Sequence, residues 1–445
     1  MKKILKKTSK LLSQKNLLKK VKSTAVIFSG KFVGIVCGLA LNYIIATQYG
    51  TTAIGEYSLF LSFTNISSML LLLGLNRSTL KNLPELKVKK LSPIPWLKGN
   101  LRLLLVSQFL FFIPVYLLIL FNEDYFLRDH IEYFPIILIV AIFARTYKEF
   151  SLSSSRGFMK IWPYALGQGS MNVFVLCVLA IGLYLDNPIH PNKSIAIALL
   201  IDALVYGIYL ILVVSHESKA TPIDPNSQDK LALPKLKNIL SESLPLYYTT
   251  LINFFTLQGG IYFLRYFHDL EEVSFYSMAT RYAFIVNMIY MTVKGYTSPQ
   301  LAKHKANGDI PALIDEAKKS TQLVLFVSIP LVLVLIISTP YLLLLHGEEF
   351  IKSYVPFLII TVGLVLKVFF GAGDNFLNMT GHNKDVKRIN TISFILFVTL
   401  NLILNPLYSY NGAAIAFSST IIVRHALCSL SIRRTYKYKI GYLSL

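Results

Sequence analysis

Long apolar segments separated by short polar connections dominate the chain. Each segment has about 20 residues, the length that a helix needs to cross roughly 30 Å of hydrocarbon. The segments are continuously apolar and lack the alternation of a barrel strand, and helices satisfy their own backbone hydrogen bonds inside a bilayer. The pattern predicts an all-α polytopic membrane protein with about twelve transmembrane helices. The predicted spans are residues 24–47, 57–76, 101–121, 132–154, 163–185, 194–214, 244–266, 275–298, 320–344, 354–378, 389–408 and 411–432.

Composition agrees with this class, since 54% of the 445 residues are hydrophobic and the mean hydropathy is +0.55. The net charge is +21, but 33 of the 44 Lys and Arg residues lie in the N-terminal segment, the even-numbered connections and the C-terminal tail. The odd-numbered connections carry only Arg128, Lys193 and Lys352. Because Lys and Arg beside spans stay cytoplasmic during insertion, both termini are predicted to be cytoplasmic. The basic surplus therefore reflects topology and does not indicate nucleic-acid binding.

A polar connection, residues 215–243, divides the predicted spans into two sets of six. The dipeptides Tyr57-Ser58 and Tyr276-Ser277, each at the start of an even-numbered span, form a weak internal repeat. An even number of spans per half makes the repeat parallel, with its axis along the membrane normal. The sequence thus predicts two six-helix lobes around a central cationic cavity. The predicted regions are a basic amphipathic segment 1–22, an N-lobe 23–214, a cytoplasmic linker 215–243, a C-lobe 244–432 and a basic tail 433–445.

The N-terminal segment 1–22 places five apolar residues near one helical face and nine lysines elsewhere. Such a helix can lie on an anionic inner leaflet. A disordered basic tail is the alternative.

Charged residues inside the spans carry the functional prediction. The spans contain eight Lys and Arg residues but only three carboxylates, Glu149, Asp202 and Asp374. A buried cation costs a few kcal/mol in a bilayer, so such residues normally face a wet cavity or a partner. A cavity with surplus positive charge attracts anions, and Lys and Arg suit phosphate oxygens, so we predict an anionic cargo such as a diphosphate. The predicted cavity residues are Lys31, Arg145, Lys148, Arg281, Lys294, Lys367 and Arg424.

Helical spacing and position within a span give some of the charged residues an alternative to facing the cavity. Arg145 and Glu149 have the i,i+4 spacing that lets them pair on one helix face, which leaves Lys148 without a partner nearby in the sequence. Arg265 lies close to a span end, where its side chain can reach the interface. Asp202 and Asp374 are candidate coupling carboxylates.

Four stretches of the chain resemble the polysaccharide transporter branch of the MOP superfamily, which includes Wzx-type O-antigen flippases. The resemblance covers nearly the whole chain in order, length and number of spans. The stretches are ATQYGTTAIGEYSLFLSF (46–63), LLLGLNRSTLK (71–81), VSFYSMA (273–279) running on to Ser298-Pro299, and a final helix with Asn401 and Asn405-Pro406 followed by GAAIA (412–416).

The resemblance implies that the protein flips a polyprenyl-diphosphate-linked oligosaccharide, such as an O-antigen or lipopolysaccharide repeat unit on undecaprenyl diphosphate, from the inner to the outer leaflet of the bacterial inner membrane. Membrane lipids, the polysaccharide polymerase and the chain-length machinery are the further expected partners, and no cofactor is implied. One departure is Gly260, which occupies a position where family members often carry Asp. Asp202 or Asp374 would then have to supply any coupling carboxylate.

Three alternatives stay open at this stage. A transporter of the same superfamily could carry lipid II, also a polyprenyl diphosphate, or a drug, although organic cations favour a cavity of the opposite sign. A polyprenyl-linked glycan polymerase or ligase would need a substantial outer loop, and the longest outer connection, residues 122–131, has about ten residues. The sequence also lacks the P-loop, G-x-S-x-G and H-E-x-x-H motifs, so we expect no enzyme. Cys37, Cys177 and Cys428 all lie inside spans, so we expect neither a disulfide nor a metal site.

Overall fold

The computed structural model describes residues 2–88, 92–127, 131–158, 160–187, 189–220, 247–248, 250–438 and 440–442. These residues are overwhelmingly helical and form no strand, which confirms the predicted all-α class. Most of the linker prediction, residues 221–243, lies outside the described residues. The helices are α1 Lys2–Leu71, α2 Leu75–Val88, α3 Ile94–Leu120, α4 Glu123–Phe126, α5 Phe134–Gly157, α6 Ile161–Gly167, α7 Ser170–Tyr184, α8 Pro191–Ala220, α9 Gly260–Phe267, α10 Leu270–Ala306, α11 Ile310–His346, α12 Tyr354–Phe369, α13 Gly373–Met379 and α14 Asn383–Tyr436, with a 3-10 helix at Glu348–Ser353 and helical residues at 250–258.

Six helices in the described part of the chain are long and apolar enough to cross a membrane. The protein is therefore a multi-pass membrane protein. The count of twelve spans and the division into lobes stay predictions. Below, the first half denotes the described residues up to 220, and the second half those from 247 onward.

Two helices each contain two of the predicted spans, joined at one residue with non-helical backbone. In α1 this residue is Gly50 (φ 84°, ψ 179°), a conformation that glycine adopts without steric cost. In α14 it is Ser409 (φ 50°, ψ −132°), which is strained for a residue with a side chain. The Ser409 hydroxyl donates a hydrogen bond to the Glu272 carboxylate.

Glycines let α1 pack closely on α7. A Cβ added at Gly169 would lie 2.6 Å from the carbonyl oxygen of Gly30 and 2.9 Å from the Cα of Gly34. Asn172 donates to the Gly34 carbonyl at 2.7 Å across the same contact. Small residues with an interhelical hydrogen bond are a usual way to join helices in membranes.

The two halves meet where α1 packs on α10. Ser58 and Ser277 form a hydrogen bond of 2.9 Å between their hydroxyl oxygens. The internal repeat equates these two residues, and equivalent residues can touch each other only close to a pseudo-twofold axis. The parallel duplication itself stays a prediction.

Gly55 makes this interface possible, and its substitution gives a first test. A Cβ at Gly55 would lie 2.1 Å from the Leu270 carbonyl oxygen, whereas no described atom lies within 4 Å of a Cβ at Gly207. We expect Gly55→Val to destabilise the protein by about 1–3 kcal/mol through overpacking against backbone. Gly207→Val, also within a helix, is the matched control and should leave Tm nearly unchanged. Equal Tm values for the two variants in detergent would show that this contact is not tight.

Candidate functional site

A cavity of about 200 Å³, here called the interface cavity, lies between the two halves. The first half contributes one face of α1, and the second half contributes residues 257–261 and the first turns of α10. Most lining side chains are uncharged hydrogen-bonding groups. The lining residues are Ser58, Leu61, Ser62, Asn65, Leu257, Gln258, Ile261, Tyr276, Ser277, Thr280, Arg281 and Phe284.

Two side-chain oxygens in this lining have unused hydrogen-bonding capacity. Asn65 Oδ1 and Gln258 Oε1 are buried and have no hydrogen-bond partner among the described residues. A buried, unpaired polar atom costs about 1–3 kcal/mol. These two groups are therefore suited to a polar ligand that supplies the missing donors.

Arg281 is the charged residue of the lining. One of its terminal nitrogens donates to Ser58 Oγ at 3.0 Å, and the guanidinium carbon lies 5.0 Å from the ring centre of Tyr57. None of the described carboxylates forms an ion pair with it. The remaining donors of the guanidinium stay available for an anionic oxygen.

Further contacts join the halves at the end of the interface that the predicted topology places outside. The Tyr125 hydroxyl donates to the Tyr262 carbonyl at 2.6 Å. Arg265 donates to the carbonyl oxygens of Tyr125 at 2.8 Å and Asp124 at 2.7 Å. These bonds fasten the connection between α3 and α5 to α9. Arg265, which lies close to a predicted span end, thus binds backbone carbonyls of the other half, and its reach to the membrane surface stays a prediction.

In the first half, two of the three predicted cations, Arg145 and Lys148, are paired with carboxylates. Arg145 and Glu149 form an ion pair of 3.0 Å, as their spacing predicts. Lys148 pairs with the Asp202 carboxylate, and both side chains are almost fully buried, at 1% and 0% exposure. Lys148 also donates to Ser170 at 3.2 Å. The partner that the local sequence did not offer Lys148 therefore comes from α8, and it is one of the two candidate coupling carboxylates.

In the second half, Asp374 is the centre of a buried polar network. Its two carboxylate oxygens accept hydrogen bonds from the Tyr290 hydroxyl at 2.5 Å and from the Lys294 ammonium at 2.6 Å. His425 packs edge-on against Tyr290, with ring centres 6.0 Å apart. Two residues of α10 thus bind the Asp374 carboxylate of α13, and His425 of α14 packs against one of them.

Two further cations extend this network. Lys367 donates to Asn287 at 2.5 Å, and its ammonium lies 4.5 Å from the ring centre of Tyr290. Arg424 donates to Asn253 at 2.5 Å. The structure therefore brings Lys294, Lys367 and Arg424 together in the second half, where positive charge exceeds negative.

The seven predicted cavity cations therefore do not share one described cavity. Arg281 lines the interface cavity, while Lys31 lies partly exposed on α1 beside its glycine contact with the α6–α7 segment. The other five belong to the pairs and network described above. A role for any of them in binding cargo stays a prediction.

Sequence reasoning from charge missed the uncharged part of the site. Ser58, Ser62 and Asn65 recur at i, i+4 and i+7 in an apolar span, and this period places them on one helix face. This spacing of polar residues is visible in the sequence and indicates a polar stripe along the helix. Within the described ranges, no three His, Cys, Asp or Glu side chains form a group that could hold a metal ion. The lining of the interface cavity offers hydrogen-bonding groups and one guanidinium.

The helix arrangement is that of the MOP superfamily of transporters. The chain is similar to the lipid II flippase MurJ in an inward closed conformation, with a TM-score of 0.72, 13% identity and coverage of 92% of this chain and 87% of that one. It is also similar to an inward-facing multidrug resistance MATE family transporter, with a TM-score of 0.69, 13% identity and coverage of 93% and 98%. A third similar structure is a MOP superfamily transporter from Pyrococcus furiosus, described as having a binding pocket of reverse polarity. Its TM-score is 0.65 at 12% identity, with coverage of 94% of this chain and 96% of that one.

The sequence identifies the family within this fold. Residues 20–303, more than half of the chain, match the model of the polysaccharide biosynthesis protein family, and the chain belongs to this family. No curated protein gives a significant match. The resemblance to the polysaccharide branch of the MOP superfamily is confirmed.

Proposed function

We propose that this protein flips a polyprenyl-diphosphate-linked oligosaccharide from the inner to the outer leaflet of the bacterial inner membrane by alternating access. The observation that carries the proposal is the interface cavity, in which neutral hydrogen-bonding side chains surround one arginine and no carboxylate. A glycan attached to a diphosphate combines the two chemistries that this lining can bind.

The lining residues divide between the two parts of such a head group. The Arg281 guanidinium can hold a diphosphate oxygen through charge-assisted hydrogen bonds. Asn65 Oδ1 and Gln258 Oε1 can accept hydrogen bonds from sugar hydroxyls, and Tyr276 and Phe284 offer aromatic surface for a sugar ring. The lipid tail stays in the membrane.

The charge of the lining separates the candidate cargoes. An organic cation would face Arg281 with no carboxylate in the lining to balance it, so a drug exporter for cations is disfavoured. Lipid II remains the second candidate because it carries the same diphosphate. The volume of about 200 Å³ is below the roughly 300–1,000 Å³ typical of ligand sites, so the halves must separate to admit an oligosaccharide.

Alternating access assigns roles to the remaining parts of the chain. The lobes 23–214 and 244–432 would rock about the cavity, with the segment 1–22, the linker 215–243 and the tail 433–445 on the cytoplasmic side. Asp374 is the preferred coupling carboxylate. A coupling ion would have to displace the Lys148 ammonium from Asp202 or the Lys294 ammonium from Asp374, and Asp374 is the more accessible of the two, at 15% exposure against 0%.

A vesicle assay tests the proposed function. The purified protein is reconstituted into liposomes with a fluorescent polyprenyl-diphosphate oligosaccharide, and a membrane-impermeant quencher reports the leaflet that holds the lipid. We expect leaflet exchange that depends on the protein and is competed by unlabelled glycolipid. Exchange no faster than in empty liposomes, together with uptake of a cationic dye, would replace the proposal with drug export. Stronger competition by lipid II would favour the second candidate.

A disulfide across the interface tests the alternating movement. The variant Ser58→Cys/Ser277→Cys, made after replacing Cys37, Cys177 and Cys428, places two thiols where the serine oxygens are 2.9 Å apart, within reach of a disulfide. We expect oxidation to stop leaflet exchange and a reductant to restore it. The two single-cysteine variants control for oxidation elsewhere. Full exchange by the cross-linked protein would contradict opening at this contact.

A further inference from the structure

An apolar groove lies beside the interface cavity, on the other side of the α1–α9 contact. Its volume is about 290 Å³, and α1, α3, α5, Phe255 and Tyr262 line it. None of the lining residues is charged, and the polar ones are Ser67 and Tyr262. The lining residues are Phe63, Ile66, Ser67, Leu70, Leu71, Phe111, Phe112, Val115, Leu118, Ile139, Ile142, Phe143, Phe255 and Tyr262.

The groove reaches the lipid-facing surface through α3. Phe111, Phe112 and Leu118 are 41%, 43% and 51% exposed, although they also line the groove. Their neighbours Phe109 and Ile113 are 80% and 62% exposed, so this part of α3 faces hydrocarbon. An apolar chain in the bilayer can thus enter the groove without crossing a polar surface.

Helix α1 and the segment 255–262 lie between the groove and the interface cavity, since each contributes residues to both linings. The Tyr262 hydroxyl, from the groove lining, donates at 3.2 Å to Ser62 Oγ, from the cavity lining. Ser62 in turn donates to the Gln258 carbonyl at 3.4 Å. A hydrogen bond between a groove-lining and a cavity-lining side chain therefore joins the two segments of the partition.

We propose that this groove binds the first isoprenoid units of the substrate while the diphosphate and sugar occupy the interface cavity, with Tyr262 and Ser62 as the gate between them. The assignment rests on the proposed function and adds the site of the lipid tail. A substrate with a polar head and an apolar tail needs two adjoining sites of these polarities. An apolar cavity of 150 Å³ binds one benzene, so about 290 Å³ holds on the order of two isoprene units.

The position of the groove beside the interface cavity favours a polyprenyl chain over a general membrane lipid as the occupant. The groove adjoins a cavity whose charged residue, Arg281, suits a diphosphate, and the gate joins Ser62 of the cavity lining to Tyr262 of the groove lining. A phospholipid chain would gain the same apolar contacts but would leave the interface cavity unfilled.

Photolabelling of the full chain in nanodiscs tests the assignment. The probe is farnesyl diphosphate with a diazirine in the tail, and mass spectrometry locates the label. The variant Val115→Trp fills the groove, whereas Ile113→Trp, two residues away on α3 and outside the lining, is the matched control. We expect labelling of the α1 and α3 lining, reduced at least fivefold by Val115→Trp and unchanged by Ile113→Trp.

A second readout separates failure of the groove from failure of the proposed function. A tail-less sugar diphosphate reports on the interface cavity alone, and its binding should be equal in both variants. If this probe binds but the tail label falls outside the groove or resists Val115→Trp, the groove assignment is wrong and the proposed function stands. A diazirine phospholipid that labels the groove as strongly as the isoprenoid also overturns the assignment. Binding of neither diphosphate probe would overturn both.

Discussion

Arg281→Gln is expected to weaken binding of the diphosphate head group roughly 10- to 100-fold. Hydrogen bonds to charged groups contribute about 1.5–3 kcal/mol, and each 1.4 kcal/mol is a tenfold change in affinity. Glutamine keeps a donor for Ser58, which accepts from Arg281 at 3.0 Å, so the α1–α10 contact should survive. Calorimetric titration with a tail-less sugar diphosphate measures the loss, and leaflet exchange should fall with it.

Two comparison variants make the result specific. Arg281→Lys keeps the charge but loses the planar guanidinium that matches phosphate oxygens. Its affinity for the sugar diphosphate should therefore lie between those of Arg281→Gln and the parent protein. Arg433→Gln removes an exposed arginine near the end of α14 and controls for the change in net charge. Unchanged affinity in Arg281→Gln, with an unchanged Tm, would remove Arg281 from the head-group site.

Asp202→Ala is expected to destabilise the protein by about 3–5 kcal/mol, the loss typical of breaking a buried ion pair. The Lys148 ammonium would stay buried at 1% exposure without its carboxylate, with only the Ser170 hydroxyl as a described partner. Thermal unfolding in detergent and the yield of monodisperse protein should both fall.

The chain offers a matched control and a rescue for this prediction. Asp315 and Lys319 form an exposed pair at 2.6 Å, and Asp315→Ala should change stability by no more than about 1 kcal/mol because solvent screens such pairs. The double variant Lys148→Met/Asp202→Leu should recover much of the loss. Equal effects of Asp202→Ala and Asp315→Ala would contradict a structural role for the buried pair. If the double variant also exchanges lipid at the normal rate, Asp202 is not the coupling carboxylate.

The candidate site was only partly predictable. Charge identified Arg281, because an arginine inside an apolar span is costly and normally faces a wet cavity or a partner. The polar stripe of Ser58, Ser62 and Asn65 was readable from its helical period. Gln258 lies 193 residues after Asn65 but lines the same cavity. Neither charge nor helical period could predict this, because it depends on how α1 packs against the second half.

Sequence alone determined the helical membrane class and the family, because hydropathy, charge bias and short motifs are local properties of the chain. It also determined the Arg145–Glu149 pair, whose i,i+4 spacing fixes the distance on any helix. Only the tertiary structure decided that Lys148 pairs with Asp202, 54 residues away, and that Lys294 pairs with Asp374, 80 residues away. Such pairs depend on the rotation and tilt of whole helices, which packing against neighbouring helices sets.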